Sequence, residues 1–510
     1  MGELLLGFDV GSNSSKGVLC RPDGTLVAKV QASHEIEVPR PGWAEMDADR
    51  VWWRELCDVA QELSEKVPAG DRIAAVGVSG LGPCLVPVDQ QGRPLRPAIL
   101  YGVDTRSAPQ IEELERRYGR EQIRALGGNR LSSQSLGPKI LWFRENEPEL
   151  ARQVTRFLGS ASYLVFRLTG EVALDRHTAS HAGPLVDFES MTWSQRFAEG
   201  IATPAELPPI RETTEIAGEV NAEAAEATGI PVGTPVTVGG ADTMAEAISV
   251  GVTRPGDLMV MYGSSGFLLL VTGERRDHPD LWSTAGAFGG QYGLSGGLAT
   301  AGSATAWFRD TLAEELVQAR EAGGPPAYAV LAEEAARAPI GAHGVLFLPY
   351  LSGERTPLFD PEARGVITGL SLSHTRADLY RALLEGVAYA IRHNVDLMRE
   401  CGAPIRRAMA VGGGTLNRLW LRIVSDVTGL AQSVPAQAIG ASYGDAFLAG
   451  LATGLVPAAA ALQTDWVKLG ETIEPEPTAT AAYEPLYAGF RSLYLETRET
   501  VHRLAEIGSG

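Results

Sequence analysis

The sequence predicts an α/β protein made of two copies of one mixed-sheet domain with a cleft between them. Three observations lead there. An apolar strand running into a Gly/Ser turn occurs twice, half a chain apart: Leu4-Leu5-Leu6-Gly7-Phe8-Asp9-Val10-Gly11-Ser12-Asn13 and Leu258-Met259-Val260-Met261-Tyr262-Gly263-Ser264-Ser265-Gly266. Each turn leads into another apolar run, Gly17 to Cys20 and Phe267 to Val271, so each unit reads as a β-hairpin. Each half also closes on a Val-Gly-Gly strand end followed by a helix, at Val238-Gly239-Gly240-Ala241-Asp242 and at Val411-Gly412-Gly413-Gly414-Thr415. A chain of 510 residues, 45% hydrophobic, has ample core for such a duplication.

The elements follow in order. Residues 4–31 read as three strands, with the turn Pro22-Asp23-Gly24-Thr25 between the second and third. Asp49 to Lys66 has helical periodicity, and Ile73 to Ser79 is a buried strand run. Pro87 to Pro97 is turn-rich, and residues 105–205 read as a mostly helical insertion. Pro235 to Asp242 is a strand that runs into glycine and opens a helix. In the second half, two strands flank Gly263 to Gly266, and Gln291 to Gly297 supplies a third. Ala304 to Ala322 reads as a helix and Val345 to Leu348 as a strand. Leu379, Leu383, Val387, Ile391, Val395 and Met398 make one stripe of a helix over Asp378 to Met398. A strand over Ala408 to Val411 and a helix from Asn417 to Val427 complete the copy. The expected domains are 1–252 and 253–470, joined at Thr253-Arg254-Pro255-Gly256. Residues 471–510 form a terminal helical segment that packs back on either of them.

Charge and composition narrow the function. A net charge of −18 argues against nucleic acid or an anionic membrane as the main partner. No apolar run reaches the ~18 residues of a membrane-spanning helix. The N-terminus lacks a basic region and a small-residue cleavage site. Cys20, Cys57, Cys84 and Cys401 are scattered, with no CxxC, which fits reduced thiols in a cytoplasmic protein. The histidines read as structural or surface groups.

The small, polar hairpin tips suit phosphate, because glycine lets the backbone approach and successive N–H groups form an anion nest. Differences between the copies say more. Laying Gly11-Ser12 on Gly263-Ser264 sets Asp9 against Met261. Laying Val238-Gly239-Gly240 on Val411-Gly412-Gly413 sets Asp242 against Thr415. Both acids then belong to the first half, and the second offers only Gly, Ser and Thr. Phosphoryl transfer needs that division: N–H groups and a divalent metal stabilise developing charge, and a carboxylate takes the proton of the acceptor hydroxyl.

The chain resembles the FGGY carbohydrate kinases of the actin/hexokinase/Hsp70 superfamily over nearly its whole length. The marks are Phe8-Asp9-Val10-Gly11-Ser12, Trp43-Ala44-Glu45-Met46-Asp47, Gly240-Ala241-Asp242, Tyr262-Gly263-Ser264-Ser265-Gly266, Thr356-Pro357-Leu358-Phe359-Asp360 and Gly412-Gly413-Gly414, in that order. Gly365 to Leu370, followed by Asp378-Leu379 and Glu385, adds a further signature. Ala98-Ile99-Leu100-Tyr101 and Pro138-Lys139-Ile140-Leu141-Trp142 look like the xylulokinase branch. The resemblance implies two ribonuclease H-like domains and ATP- and Mg²⁺-dependent phosphorylation of a sugar hydroxyl, with D-xylulose the leading substrate. It implies Asp242 as catalytic base and Asp9 as the metal-associated acid. Gly11, Ser12, Asn13 and Lys16 would border the γ-phosphate. Gly263, Ser264, Ser265 and Gly266 would form the second phosphate loop. Gly412 and Gly413, with Asn417 nearby, would meet adenosine. Asp104 and Arg106 would lie near the sugar, as would Gly82. The partners implied are a sugar and ATP, and a homodimer stays open.

Two segments depart from the branch. Leu81-Gly82-Pro83-Cys84 stands where xylulokinases usually carry Gln-Met-His-Gly, and Tyr101 to Arg106 is one residue longer than the usual Trp-Asn-Asp-Gly-Arg. Both would face the sugar, so another ketose, a polyol or a sugar acid is the alternative. A nucleotide-switched actin- or chaperone-like protein would share the phosphate loops but need no sugar pocket. A dinucleotide oxidoreductase fits worse, because Asn417 stands where GxGxxG needs its last glycine.

Overall fold

The computed structural model describes residues 2–508. Met1 of the first expected domain and the last two residues of the terminal segment lie outside them. Among the described residues, two seven-stranded sheets carry the fold. The first runs in the order Ile216–Glu219, Pro235–Thr237, Arg72–Gly80, Glu3–Val10, Ser14–Cys20, Leu26–Ser33, with Gly240–Ala241 also paired to Arg72–Gly80. The second runs Leu469–Ile473, Gln432–Pro435, Arg407–Val411, Asp257–Tyr262, Gly266–Thr272, Tyr292–Leu298, Trp282–Ala285. Directions match strand for strand. Each hairpin is antiparallel, its first strand is parallel to a crossover strand, that strand is parallel to a third, and the next is antiparallel. The central strand Glu3–Val10 is buried at every position after Glu3, which is why it reads as an unbroken apolar run rather than an alternation.

The strand register corrects one expectation. Asp9 lies opposite Ser79, and Met261 lies opposite Val411. Val411-Gly412 is therefore the counterpart of Ser79-Gly80, not of Val238-Gly239. The step at Gly240-Ala241-Asp242 has its counterpart at Gly440-Ala441-Ser442, where helix Ala441–Ala452 begins. Glycine closes several strands in each copy because the chain must turn with positive φ there: 82° at Gly239, 92° at Gly412 and 108° at Gly440. Repetition within a copy is what made the wrong pairing look right.

Helices Asp242–Ser249 and Ala441–Ala452 lie between the sheets and cross closely. Gly444 sits where any Cβ would meet the carbonyl of Ala245. Gly7 and Gly77 of the first sheet abut the carbonyls of Ser442 and Asp445, so the second copy's helix lies directly on the first copy's sheet. Leu5, Ala75, Met244, Ile248, Met259, Met409 and Phe447 fill the layer between them.

Other elements sit close to expectation, with three differences. Helix Ser160–Thr169 belongs to the first sheet's core rather than to the insertion, because Tyr163, Leu164, Val165 and Leu168 are buried with Leu6, Phe8 and Val76. The expected helix over Ala304 to Ala322 is two, Gly302–Leu312 and Glu314–Glu321, broken at Ala313 (φ −147°). Leu346–Leu348 pairs with Val366–Thr368 outside the main sheet. The last helix, Pro477–Gly508, packs on the second half, where Tyr483, Tyr487 and Phe490 join Leu383 and Tyr389 in the core. No helix among the described residues is long and apolar enough to cross a membrane.

Helix Arg376–Glu400 opens on a capping box, in which Thr375 N donates to Asp378 Oδ2 at 2.8 Å. Burial pushes the Asp378 carboxyl up, but His343 and Thr375 outweigh it and hold it down at about 2. A depressed carboxyl stabilises above its unfolded pKa and loses that contribution as pH falls through the folded one. Asp378→Ala removes the bonds to Thr375 and His343 and is expected to cost about 1 kcal/mol at neutral pH. The difference from the parent should close between pH 4 and 2, as read by denaturant unfolding.

Candidate active site

The first Gly/Ser turn is closed by Gly11 N donating to Ser14 O at 3.0 Å. His34, read as a structural or surface group, braces it: Nε2 lies 2.9 Å from Gly11 O and Nδ1 2.9 Å from Glu55. Ser12 Oγ lies 2.9 Å from the Tyr101 hydroxyl, and Asn13 is exposed at the tip. Lys16 stands directly across the hairpin from Asp9.

Asp9 is one of four acids gathered where the helices cross. Ser79 Oγ lies 3.0 Å from Asp9 Oδ1 and 2.7 Å from Asp445 Oδ2. Asp242 opens its helix and accepts from Thr243 N at 2.7 Å, and Glu246 follows one turn later. Desolvation raises Asp9 to about 6, against the pull of Ser79, Lys16 and His34. Desolvation, then the Asp9 charge, lift Asp242 well above the carboxylate range, with Glu246 adding to it. Glu246 itself is raised to about 7 by burial and then by Asp9. Asp445 is raised well above its usual value by burial and then by Asp9. So the second half is not free of acid here: Asp445 reaches the cluster, contrary to expectation. Glu246, at i+4 from Asp242, was legible as a helix neighbour on the same face, whereas Asp445 became visible only with the corrected register.

Loop 81–84 forms an adjoining wall. A Cβ on Gly82 would stand 3.3 Å from that of Ala241, which places the loop beside Asp242. Burial pushes the Cys84 thiol up to about 12, and the charges of Asp242 and Asp104 both act on it. Asp242 and Arg355 both act on Tyr101, so a second-half side chain reaches this wall.

Asp104 and Arg106 are turned toward each other, both side chains fully buried. Asp104 accepts from Arg106 Nε and Nη2 and from Ala44 N, while Arg106 Nη1 donates to Glu45 at 2.6 Å. The guanidinium lies 3.9 Å from the Trp43 ring centroid and 4.9 Å from that of Trp142. With each guanidinium nitrogen bonded and no exposed surface, the pair braces the wall in this arrangement. Lys139 was read only as part of a motif. It is buried against this pair, and desolvation lowers it to about 8.

In the second half, the carbonyls of Gly263 and Ser264 accept from Gly302 N and Ser303 N, joining the turn to the start of helix Gly302–Leu312. Ser265 O lies 3.0 Å from where a Gly263 Cβ would stand, and Gly266 pairs with Tyr262 and Leu298. Gly412 has no room for a side chain against the Tyr262 carbonyl, whereas Gly413 faces open space. Asn417 caps helix Arg418–Thr428, its Oδ1 accepting from Trp420 N at 3.2 Å.

Two like sheets with Gly/Ser turns and an acidic cluster between them define a two-domain phosphotransferase of the sugar-kinase type. The models of the FGGY family of carbohydrate kinases match residues 4–249 for the N-terminal domain and 258–453 for the C-terminal domain. The chain belongs to that family, and it is an ATP-dependent sugar kinase. It is 31% identical over 496 residues to a xylulose kinase of Escherichia coli, covering 96% of this chain and 98% of that one. A gluconokinase of Bacillus subtilis is 26% identical over 488 residues, covering 95% and 94%. The crystal structure of xylulose kinase from Rhodospirillum rubrum superposes with a TM-score of 0.90 at 35% identity, covering 98% of this chain and all of that one.

Among the described residues no group of three or more His, Cys, Asp or Glu side chains converges as in a protein-only metal cage. Asp9 and Asp242 offer hard oxygen donors whose charges repel. That set fits a Mg²⁺ that takes most of its ligands from nucleotide phosphates and water.

Proposed function

We propose that the enzyme transfers the γ-phosphate of ATP to D-xylulose, giving D-xylulose 5-phosphate and ADP. The observation that carries the mechanism is Asp242, a carboxyl poised beside Asp9 and loop 81–84 where the two halves cross. The acceptor hydroxyl oxygen attacks the γ-phosphorus, the bond to the β,γ-bridging oxygen breaks, and Asp242 takes the hydroxyl proton. Mg²⁺ would be held by Asp9 together with the phosphates, and it would offset their charge. Ser12, Asn13 and Lys16 border the γ-phosphate, and Gly263 to Gly266 receive the others. Gly412 and Gly413 lie against adenosine, with the Asn417 side-chain N–H₂ still able to donate. Residues 1–252 thus carry sugar, metal and base, 253–470 carry the nucleotide, and the described part of the terminal segment, 471–508, braces the second half. Asp104 and Arg106 act on the sugar by holding Trp43 and Ala44. The cytoplasm is the compartment that this reading places it in.

Xylulose is supported by xylulose kinases that align over nearly the full length. Loop 81–84 and the gluconokinase relative favour a sugar acid as the second reading. An ADP-release screen over pentuloses, hexuloses, polyols and sugar acids tests it. D-Xylulose is expected to give the highest kcat/KM, and a gluconate optimum would replace the substrate while leaving the chemistry intact.

A further inference from the structure

We propose that Asp445, from the second half, is a positioning residue for the transfer centre and acts through the Ser79 hydroxyl to hold the Asp9 carboxylate. The proposal rests on reading Asp9 as the metal-associated acid. Its geometry is direct: Ser79 Oγ lies between the two carboxyls, 3.0 Å from Asp9 and 2.7 Å from Asp445, and donates its single proton to one while accepting from the other. The helix that carries Asp445 is in close backbone contact with the first sheet. The carbonyl of Asp445 fills the space beside Gly77, that of Ser442 the space beside Gly7, and Gly444 rests on Ala245. Movement of this helix against the first sheet would therefore be felt at Asp9.

The duplication supplies an internal control. In the corrected register, Asp9 matches Met261 and Ser79 matches Val411. Both places in the second copy are apolar. The fold thus has a hydrocarbon solution for this pair, and a buried polar pair costs more than that solution unless it is used. Ser79 already has a carboxylate partner in Asp9, so satisfying its hydroxyl does not require Asp445.

The test uses the full-length enzyme with Asp445→Ala, Asp445→Asn, Ser79→Ala and the double alanine variant. Partners that orient a metal-associated side chain are typically worth 10–100-fold in metal affinity or activity. Asp445→Ala is expected to raise the half-saturating Mg²⁺ concentration about tenfold and leave the sugar KM within about twofold. Ser79→Ala should do the same, and the double variant should be no worse than either single one, because both break one chain of contacts. Asn keeps a hydrogen bond to Ser79 and should restore most of the Mg²⁺ response. A lowered Tm with unchanged Mg²⁺ dependence, or additive losses, would overturn the proposal. If Asp445→Ala does not fold, Ser79→Ala alone decides it by the same Mg²⁺ readout. Asp9→Asn separates the two ideas. A Mg²⁺ shift there without one in Asp445→Ala and Ser79→Ala defeats only the positioning role. No shift in Asp9→Asn defeats the metal reading and the proposal together.

Discussion

Asp242→Ala is expected to keep the fold and nucleotide binding and to lose turnover by roughly 10²–10⁴-fold, the usual contribution of a positioned base. The carboxyl is half-buried at the start of its helix and accepts from the backbone N–H of the next residue, a local bond whose removal leaves the tertiary packing in place. The loss should fall on kcat, with the ATP dissociation constant little changed, because the proton moves only as the new P–O bond forms. Near-normal kcat would remove Asp242 from the chemistry. The parent enzyme's pH profile gives a second measurement. Desolvation and the neighbouring Asp9 and Glu246 charges favour the protonated acid. The base works only when deprotonated, so kcat/KM should fall on the acid side at a pH above the ordinary carboxylate range. That limb should move to lower pH as Mg²⁺ is raised, because a cation beside the acids favours their charged forms.

The second large effect is structural. Gly7→Ala places a methyl group into the backbone of helix 441–452, at the Ser442 carbonyl and the Ala446 N–H. Backbone cannot swing aside as a side chain can, so the sheet and helix must separate. A cost of about 1–3 kcal/mol, the range for overpacking a well-filled core, is the minimum expected. Activity should fall with stability, because the same helix packs against the one that begins at Asp242. Gly413→Ala is the control. Nothing lies within 4 Å of its Cβ position, so its thermal transition should match the parent. A Gly7→Ala protein that melts with the parent would show that the helix does not rest on this strand.

Much of this was legible in the chain. Leu4 to Val10 and Leu258 to Tyr262 are mostly apolar runs, as central strands packed on both faces must be, and a Gly/Ser turn follows each. The stripe from Leu379 to Met398 announced its helix because burial on one side imposes a period of 3.6. The pairing of the copies was not legible. Glycine follows more than one strand of each copy, and it records only that the chain turns, not which neighbour it turns beside. Asp104 and Arg106 were placed near the sugar by motif, but a motif does not say that a guanidinium held between Trp43 and Trp142 turns inward.

By itself, then, the sequence determined the duplicated α/β plan, the two Gly/Ser turns, Asp9 and Asp242, and membership of a sugar-kinase family, because each is written in local pattern and spacing. Tertiary structure alone decided that the second copy's helix lies on the first copy's sheet. It thereby decided that Asp445 comes to share Ser79 with Asp9. Residues 366 positions apart meet there. Such a contact is set by how two sheets close around crossed helices, and no local periodicity carries that information.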